Sequence, residues 1–189
     1  GSPDHVHEFY AALRQNNLQN PDFAVLSHWH CDHSLGITAL SIPVIASQLT
    51  NQKLLEMERW TWDETAIRLR IQNHEETEFG YDMLCKEYED LSTIQIRRAD
   101  IIFKETLSVE LGGVTCVLHH IGGPHSPDST ICLIPEDGVL FLGDSYGKDM
   151  MGLDWDYNPN DREHFRRTLH ALPYARDKIV DYCKYLMDM

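Results

Sequence analysis

Val6, Phe9, Tyr10 and Leu13 recur at the i, i+3, i+4, i+7 spacing that lays an apolar stripe along one helix face. Ser2-Pro3-Asp4 supplies the start of that helix: a capping hydroxyl, a proline in the first turn and an acid at the positive end of the dipole. Asn16-Asn17 ends it. The pattern then changes to a continuous apolar run, Phe23-Ala24-Val25-Leu26, which predicts a buried strand over residues 23–27. A short helix is expected over Ile37 to Leu40 and a short strand over Ile42 to Ala46. Residues 48–90 hold few strand formers, many charges and helical spacings such as Leu54-Leu55-Met57 and Ile67-Leu69-Ile71, which predict two or three helices.

Strands return at Ile101-Ile102-Phe103. Leu107 to Leu111 and Val114 to Leu118 form a hairpin about Gly112-Gly113, and Thr130 to Ile134 and Val139 to Leu142 form another about Pro135-Glu136-Asp137-Gly138. Asn160-Asp161-Arg162-Glu163 resembles a capping box, and Phe165, Leu169 and Leu172 mark the core face of the helix that follows. Lys178-Ile179-Val180 reads as a last strand, and Tyr182 to Met187 as part of a terminal helix. Strands with helices on both sides predict a layered α/β sandwich. The length of 189 residues predicts one domain, 1–189, with the helical stretch at about 48–90 as an insert.

Composition narrows the function. An apolar share of 42% and a charged share of 24% are those of a soluble globular chain. A net charge of −14 argues against nucleic acid, whose phosphates need Lys and Arg. No apolar run reaches the length of a membrane span, and no signal peptide is read at the start, where Gly1-Ser2 has the look of an expression scar. Five cysteines (Cys31, Cys85, Cys116, Cys132, Cys183) show no paired spacing and read as reduced thiols of a cytoplasmic protein. Cys116 and Cys132 fall in apolar strand patterns and are expected in the core; the Cys31 thiol is expected to point into the core opposite His30. The expected partner is a small-molecule substrate; a homo-oligomer is left open.

The chemistry concentrates in Ser27-His28-Trp29-His30-Cys31-Asp32-His33-Ser34-Leu35-Gly36, where three histidines and an aspartate fall within six residues. Alternation at a strand end aims His28 and His30 to one side, and the turn that follows brings Asp32 and His33 round to a second point. Imidazole nitrogen and carboxylate oxygen are zinc ligands, although such sites also accept iron or manganese. His5, His7, His74, His164 and His170 lack ligand spacing and are expected on the surface or in packing.

This stretch is similar to the His-x-His-x-Asp-His signature of the metallo-β-lactamase superfamily. Gly122-Gly123-Pro124-His125-Ser126-Pro127-Asp128-Ser129 resembles that family's second metal loop, and Leu140-Phe141-Leu142-Gly143-Asp144-Ser145 the strand delivering its bridging aspartate. The resemblance runs from about Pro3 to Val180 and implies the αββα sandwich. It implies one zinc on His28, His30 and His125, and a second on Asp32, His33 and Asp144, with Asp144 shared in a binuclear site. Water between two such ions would be acidified to a pKa of about 7, giving a zinc-bound hydroxide that Asp32 could hold and orient as a catalytic residue. His119 or His120 could orient a ligand. Tyr146 could donate a hydrogen bond into the cleft, and the 48–90 insert with Trp60 and Trp62 either covers that cleft or forms an outer layer.

Two departures from the family pattern stand out. Only 27 residues precede His28, so the family's first pair of strands is expected to be missing. No histidine follows the last strand, and the Asp181-Tyr182 junction reads as one across which a loop with the final ligand is absent; otherwise the second site is degraded, with Cys183 as a soft substitute. Asp144 stands where zinc β-lactamases commonly have a cysteine. The resemblance is therefore closer to hydroxyacylglutathione hydrolases and lactonases, and implies a hydrolase of thioesters, lactones or other esters. Two alternatives are an iron-dependent redox member of the fold, disfavoured by His30, and a non-catalytic binding protein.

Overall fold

The computed structural model describes residues 1–151, 159–172 and 179–181. Helix α1 spans Pro3–Gln15, and the Ser2 hydroxyl accepts from the His5 amide while the His5 ring bonds back to the Ser2 amide. The capping expected at Ser2 is therefore present. The stripe is narrower than its spacing suggests. Val6, Tyr10 and Leu13 are half-buried against the short 3-10 turn Leu35–Ala39, whereas Phe9 is exposed.

Two sheets follow. The first holds β1 (Ala24–Val25), β2 (Val44–Ser47) and β3 (Ile101–Phe103), all parallel, in the order β1-β2-β3. Parallel neighbours need crossover connections. Here β2 reaches β3 through α3 (Gln48–Met57), α4 (Glu64–Gln72) and α5 (Glu78–Glu87), capped by Ser47, Asp63 and Thr77. These are the helices expected in the 48–90 stretch. The second sheet runs β4 (Thr106–Glu110), β5 (Thr115–His120), β6 (Thr130–Ile134), β7 (Val139–Gly143) and β8 (Ile179–Asp181). Its first three pairings are antiparallel, including both expected hairpins, and β8 joins β7 in parallel.

Alternation along the strands builds the layers. Val44 and Ala46 face a core shared with Leu54, Met57, Trp62 and Ile67 of the helical segment. Ile45 points the other way, into a core with Phe103, Cys116 and Leu118 that lies between the sheets. On β6, Cys132 and Ile134 pack into that same inter-sheet core, while Ile131 and Leu133 face a third core with Leu140, Leu142 and Phe165. Phe165 and Leu169 belong to α6 (Pro159–His170). Helices, sheet, sheet and helix thus stack as an αββα sandwich. The Cys116 and Cys132 sulfurs lie 3.2 Å apart as free thiols in its middle.

Several expectations shift in detail. β1 is shorter than residues 23–27, although the Leu26 amide still donates to the Ile45 carbonyl. The short helix expected over Ile37 to Leu40 is the 3-10 turn Leu35–Ala39, and a further short helix, α2 (Cys31–Ser34), precedes it inside the histidine-rich stretch. Asn160–Glu163 lies within α6 instead of capping it. The terminal helix at Tyr182–Met187 and Cys183 fall outside the described residues, as does the far side of the Asp181-Tyr182 junction. No helix among the described residues is long and apolar enough to cross a membrane.

Candidate metal centre

The histidine-rich stretch leaves β1 in extended form and turns into α2 at Cys31, with His30 as the residue before the helix. That turn brings Asp32 and His33 back beside His28. His125 arrives on the loop between β5 and β6, and Asp144 directly follows β7. All six residues singled out in the sequence are therefore brought together. The ring of His28 lies 4.5 Å from that of His30, 4.2 Å from His33 and 4.9 Å from His125, centre to centre. His33 Nε2 is 3.4 Å from Asp32 Oδ2 and 3.3 Å from Asp144 Oδ2, and His125 Nε2 is 4.0 Å from Asp144 Oδ2.

Two overlapping groups of three ligand atoms result: His28, His30 and His125, and His28, His33 and Asp144. The first is the trio expected. The second has His28 where Asp32 was expected; Asp32 stands outside it, its side chain 73% exposed, and touches it through His33.

The neighbours of the rings fix which nitrogens face inward. His125 Nδ1 donates to the Lys148 carbonyl at 2.7 Å, which turns Nε2 toward the other rings. His28 Nδ1 lies 3.1 Å from Ser27 Oγ, and its Nε2 meets His125 Nε2 at 3.2 Å. Two imidazoles on one tetrahedral zinc would stand at about 3.3 Å, given bonds of about 2.0–2.1 Å. His30 Nε2 and Asp144 Oδ1 are buried with no hydrogen-bond partner. A buried lone pair without a donor is costly, and a cation removes that cost. The donor set therefore fits a divalent metal.

Electrostatics agree for the first trio. Burial, reinforced by the neighbouring imidazoles, holds His28 well below the ordinary histidine range. Burial and His125 push His30 down to about 3, against the pull of Asp32 and Asp144. Both are thus neutral ligands at neutral pH. His33 differs: burial opposes its charge, but hydrogen bonds to Asp144 and Asp32 outweigh it and raise its pKa to about 9. Crowding favours the neutral form of Asp32, yet the hydrogen bond and charge of His33 prevail and leave it at about 2.

Several positioning contacts were not legible in the motifs. Gly143 has φ of +56°, a conformation open to glycine, and a Cβ there would approach the Ser27 Cβ to 2.9 Å. Ser27 also lies 3.3 Å from His33 Nδ1, so it braces two of the rings. Asp128 is buried and ties the His125 loop across the inter-sheet gap. Thr50 of α3 donates to its Oδ2 at 2.7 Å, and the Ser126 hydroxyl donates to Oδ1. His120 bonds the Pro127 carbonyl at 3.0 Å and so steadies the same loop without touching a ligand ring. Asp128→Ala is expected to lower metal affinity by about ten- to a hundredfold, as losses behind a ligand do. A competition titration against a chromophoric chelator measures it; unchanged affinity would mean that the loop holds its own shape.

Other expected roles move. Tyr146 does not reach the cleft: it is buried against Phe165, and its hydroxyl accepts from Arg162 Nε at 2.8 Å. Trp62 is buried in the helical core and Trp60 packs beside it, with the Arg70 guanidinium 4.5 and 5.1 Å from their rings. The insert does wall the cleft, but through α5. Phe79 and Met83 border a cavity of about 570 Å³ that opens onto His30, Asp32, His125 and Asp144, with Trp29 opposite. Cys31 borders this cavity as well as packing on the core, and burial pushes its thiol up. His7, His74, His164 and His170 are exposed, and His5 pairs with Glu87 at 3.0 Å.

Comparison with known proteins places the fold. The family model of the metallo-beta-lactamase superfamily matches residues 2–179. Among solved structures, a metallo-beta-lactamase from Pontibacter korlensis is 20% identical with a TM-score of 0.55, over 93% of this chain and 67% of its own. One from Hirschia baltica is 16% identical with a TM-score of 0.57, over 95% and 68%. The B3 metallo-beta-lactamase BLEG-1 is 20% identical with a TM-score of 0.53, over 93% and 75%. No curated protein matches the chain. The His/Asp cluster supports binding of a divalent metal, and cluster and fold together support a metal-dependent hydrolase in general. With its two sheets, its flanking helices and a family match across nearly its whole length, the chain belongs to the metallo-beta-lactamase superfamily.

Proposed function

We propose that the protein is a zinc-dependent hydrolase of the thioesterase or lactonase kind, acting on a thioester, lactone or other ester. The observation that carries this reading is the convergence of imidazole nitrogens, His28 Nε2 and His125 Nε2 at 3.2 Å with the unpartnered His30 Nε2, beside a cavity sized for a small molecule that His30 and His125 line. His28, His30 and His125 would hold one ion; a second would rest on His33 and Asp144 beside His28, with Asp32 bearing on it only through His33. Zinc, when bound, supplies a Lewis acid and acidifies a water at neutral pH. Asp32 is ionised at neutral pH and lines the cavity, so its carboxylate can accept a hydrogen bond from an attacking water and orient it. Asp144, in place of the cysteine of many zinc β-lactamases, favours ester-type substrates over β-lactams. The partner is a small molecule, and the free cysteines among the described residues suit the reducing cytoplasm.

The test is elemental analysis of the intact protein together with turnover of a panel of thioesters, lactones and aryl esters. Zinc near one or two ions per chain is expected, with turnover that a chelator removes and added zinc restores. Zinc-loaded protein inert toward the whole panel would overturn the reading. Iron as the bound metal, with a redox-active absorbance, would favour the oxidoreductase alternative.

A further inference from the structure

Resting on the hydrolase reading of the same cavity, we infer that the site selects substrates whose acyl part is an uncharged apolar chain, laid against Phe79 and Met83 of α5. These two residues are four apart and share a helix face. They are 45% and 37% exposed, yet both line the cavity with Trp29, Leu35, Leu84 and Tyr88. Leu84 is buried in the helical core and fixes the rotation of α5, so Phe79 and Met83 stay turned to the cleft. A cluster of large apolar side chains left facing a cleft is surface for an apolar ligand to cover.

Charge points the same way. Glu76 is only 8% exposed and lines the cavity, with its Oε1 accepting from the Thr77 amide at 2.8 Å. Gly80 leaves the room that this carboxyl occupies. Glu87 lines the cavity too, paired with His5. Among the described lining residues the lysine near them is Lys86, which is exposed; the charges of Arg70 and Lys53 reach Glu76 from outside the cavity lining. Among the described residues no arginine lines the cavity. A carboxylate on the acyl chain would lose its water beside Glu76, with no arginine or buried lysine among the described lining residues to replace it. An alkyl chain gains from every methylene it covers.

The experiment uses the zinc-loaded full chain and acyl thioesters of one neutral thiol, from acetyl to octanoyl, beside the same chains ending in a carboxylate. Binding of the uncharged ketones 2-butanone and 2-octanone is measured by calorimetry in parallel. The expected result is that kcat/KM rises about two- to fourfold per methylene until the cavity is filled. A terminal carboxylate is expected to cost at least about tenfold. Phe79→Ala flattens the length dependence. Met83→Lys, at an exposed position that folding tolerates, raises turnover of the carboxylate-ended chain. A flat length profile, or preference for the carboxylate-ended series, overturns the inference and leaves the hydrolase reading standing. Ketones that bind with the expected length dependence, lost in Phe79→Ala, while no thioester, lactone or aryl ester is cleaved, sink the hydrolase reading and leave the pocket as assigned.

Discussion

His28→Ala is expected to cost at least about a thousandfold in turnover and to leave zinc weakly held at either group. His28 belongs to both three-ligand groups, so its loss breaks each of them at once. The Lewis acid is worth several kcal/mol of transition-state stabilisation, which is three or more powers of ten. The ring is 1% exposed, so the variant must first be shown to be folded by circular dichroism. Asp32→Ala makes the contrast. Asp32 belongs to neither group and is open to the cavity, so zinc content should fall much less than turnover. Zinc content and turnover both intact in His28→Ala would mean that the cluster is not the working centre.

Loading the His33 group with zinc at neutral pH should release about one proton per chain, because His33 holds a proton up to about pH 9 between Asp144 and Asp32. His28 and His30 are already neutral there and release none. Affinity at the His33 group should therefore climb about tenfold per pH unit up to about 9, while the His28, His30 and His125 group stays nearly flat near neutrality. Calorimetry in buffers of different ionisation enthalpy reads the proton directly. Heats that do not depend on the buffer would count against it, and His33→Gln should remove the release. In the metal-free chain the same proton binds the two carboxylates together. A folded pKa raised from 6.5 contributes stability that is full below 6.5 and fades as pH rises through about 9.

The parts of the molecule that were legible in the sequence are those whose signal is local. His28, His30, Asp32 and His33 lie within six residues, and strand-then-turn geometry alone brings them to one place. The alternation of Val44, Ile45 and Ala46, or of Ile131, Cys132 and Leu133, announces two-sided strands, and the structure fills both sides. His125 and Asp144 needed more: a resemblance supplied them, because nothing local joins His125 to a ring 97 residues earlier. The bond from Thr50 to Asp128 spans 78 residues, and no periodicity reports it. Aromatic residues were undecided for the same reason. The sequence leaves Trp60 and Trp62 between the cleft and an outer helical layer; Arg70 stacks on them in the helical layer, and Trp29 and Phe79 line the cleft. Phe9 completes a helical stripe in the sequence and is still exposed, while Val6, Tyr10 and Leu13 are half-buried where α1 packs on the short turn at Leu35–Ala39.

The six clustered residues come from both halves of the sandwich: His28, His30, Asp32 and His33 from the parallel sheet's end, His125 and Asp144 from the antiparallel one. Neither half owns the centre. A slip of about an ångström between the sheets would leave each ladder of hydrogen bonds intact and still spread the ligand atoms beyond a metal's reach. The centre is thus a gauge of how the two halves are seated on each other. It would fall silent on a loosening of the inter-sheet core around Ile45, Phe103 and Leu118 that leaves helix and strand content unchanged.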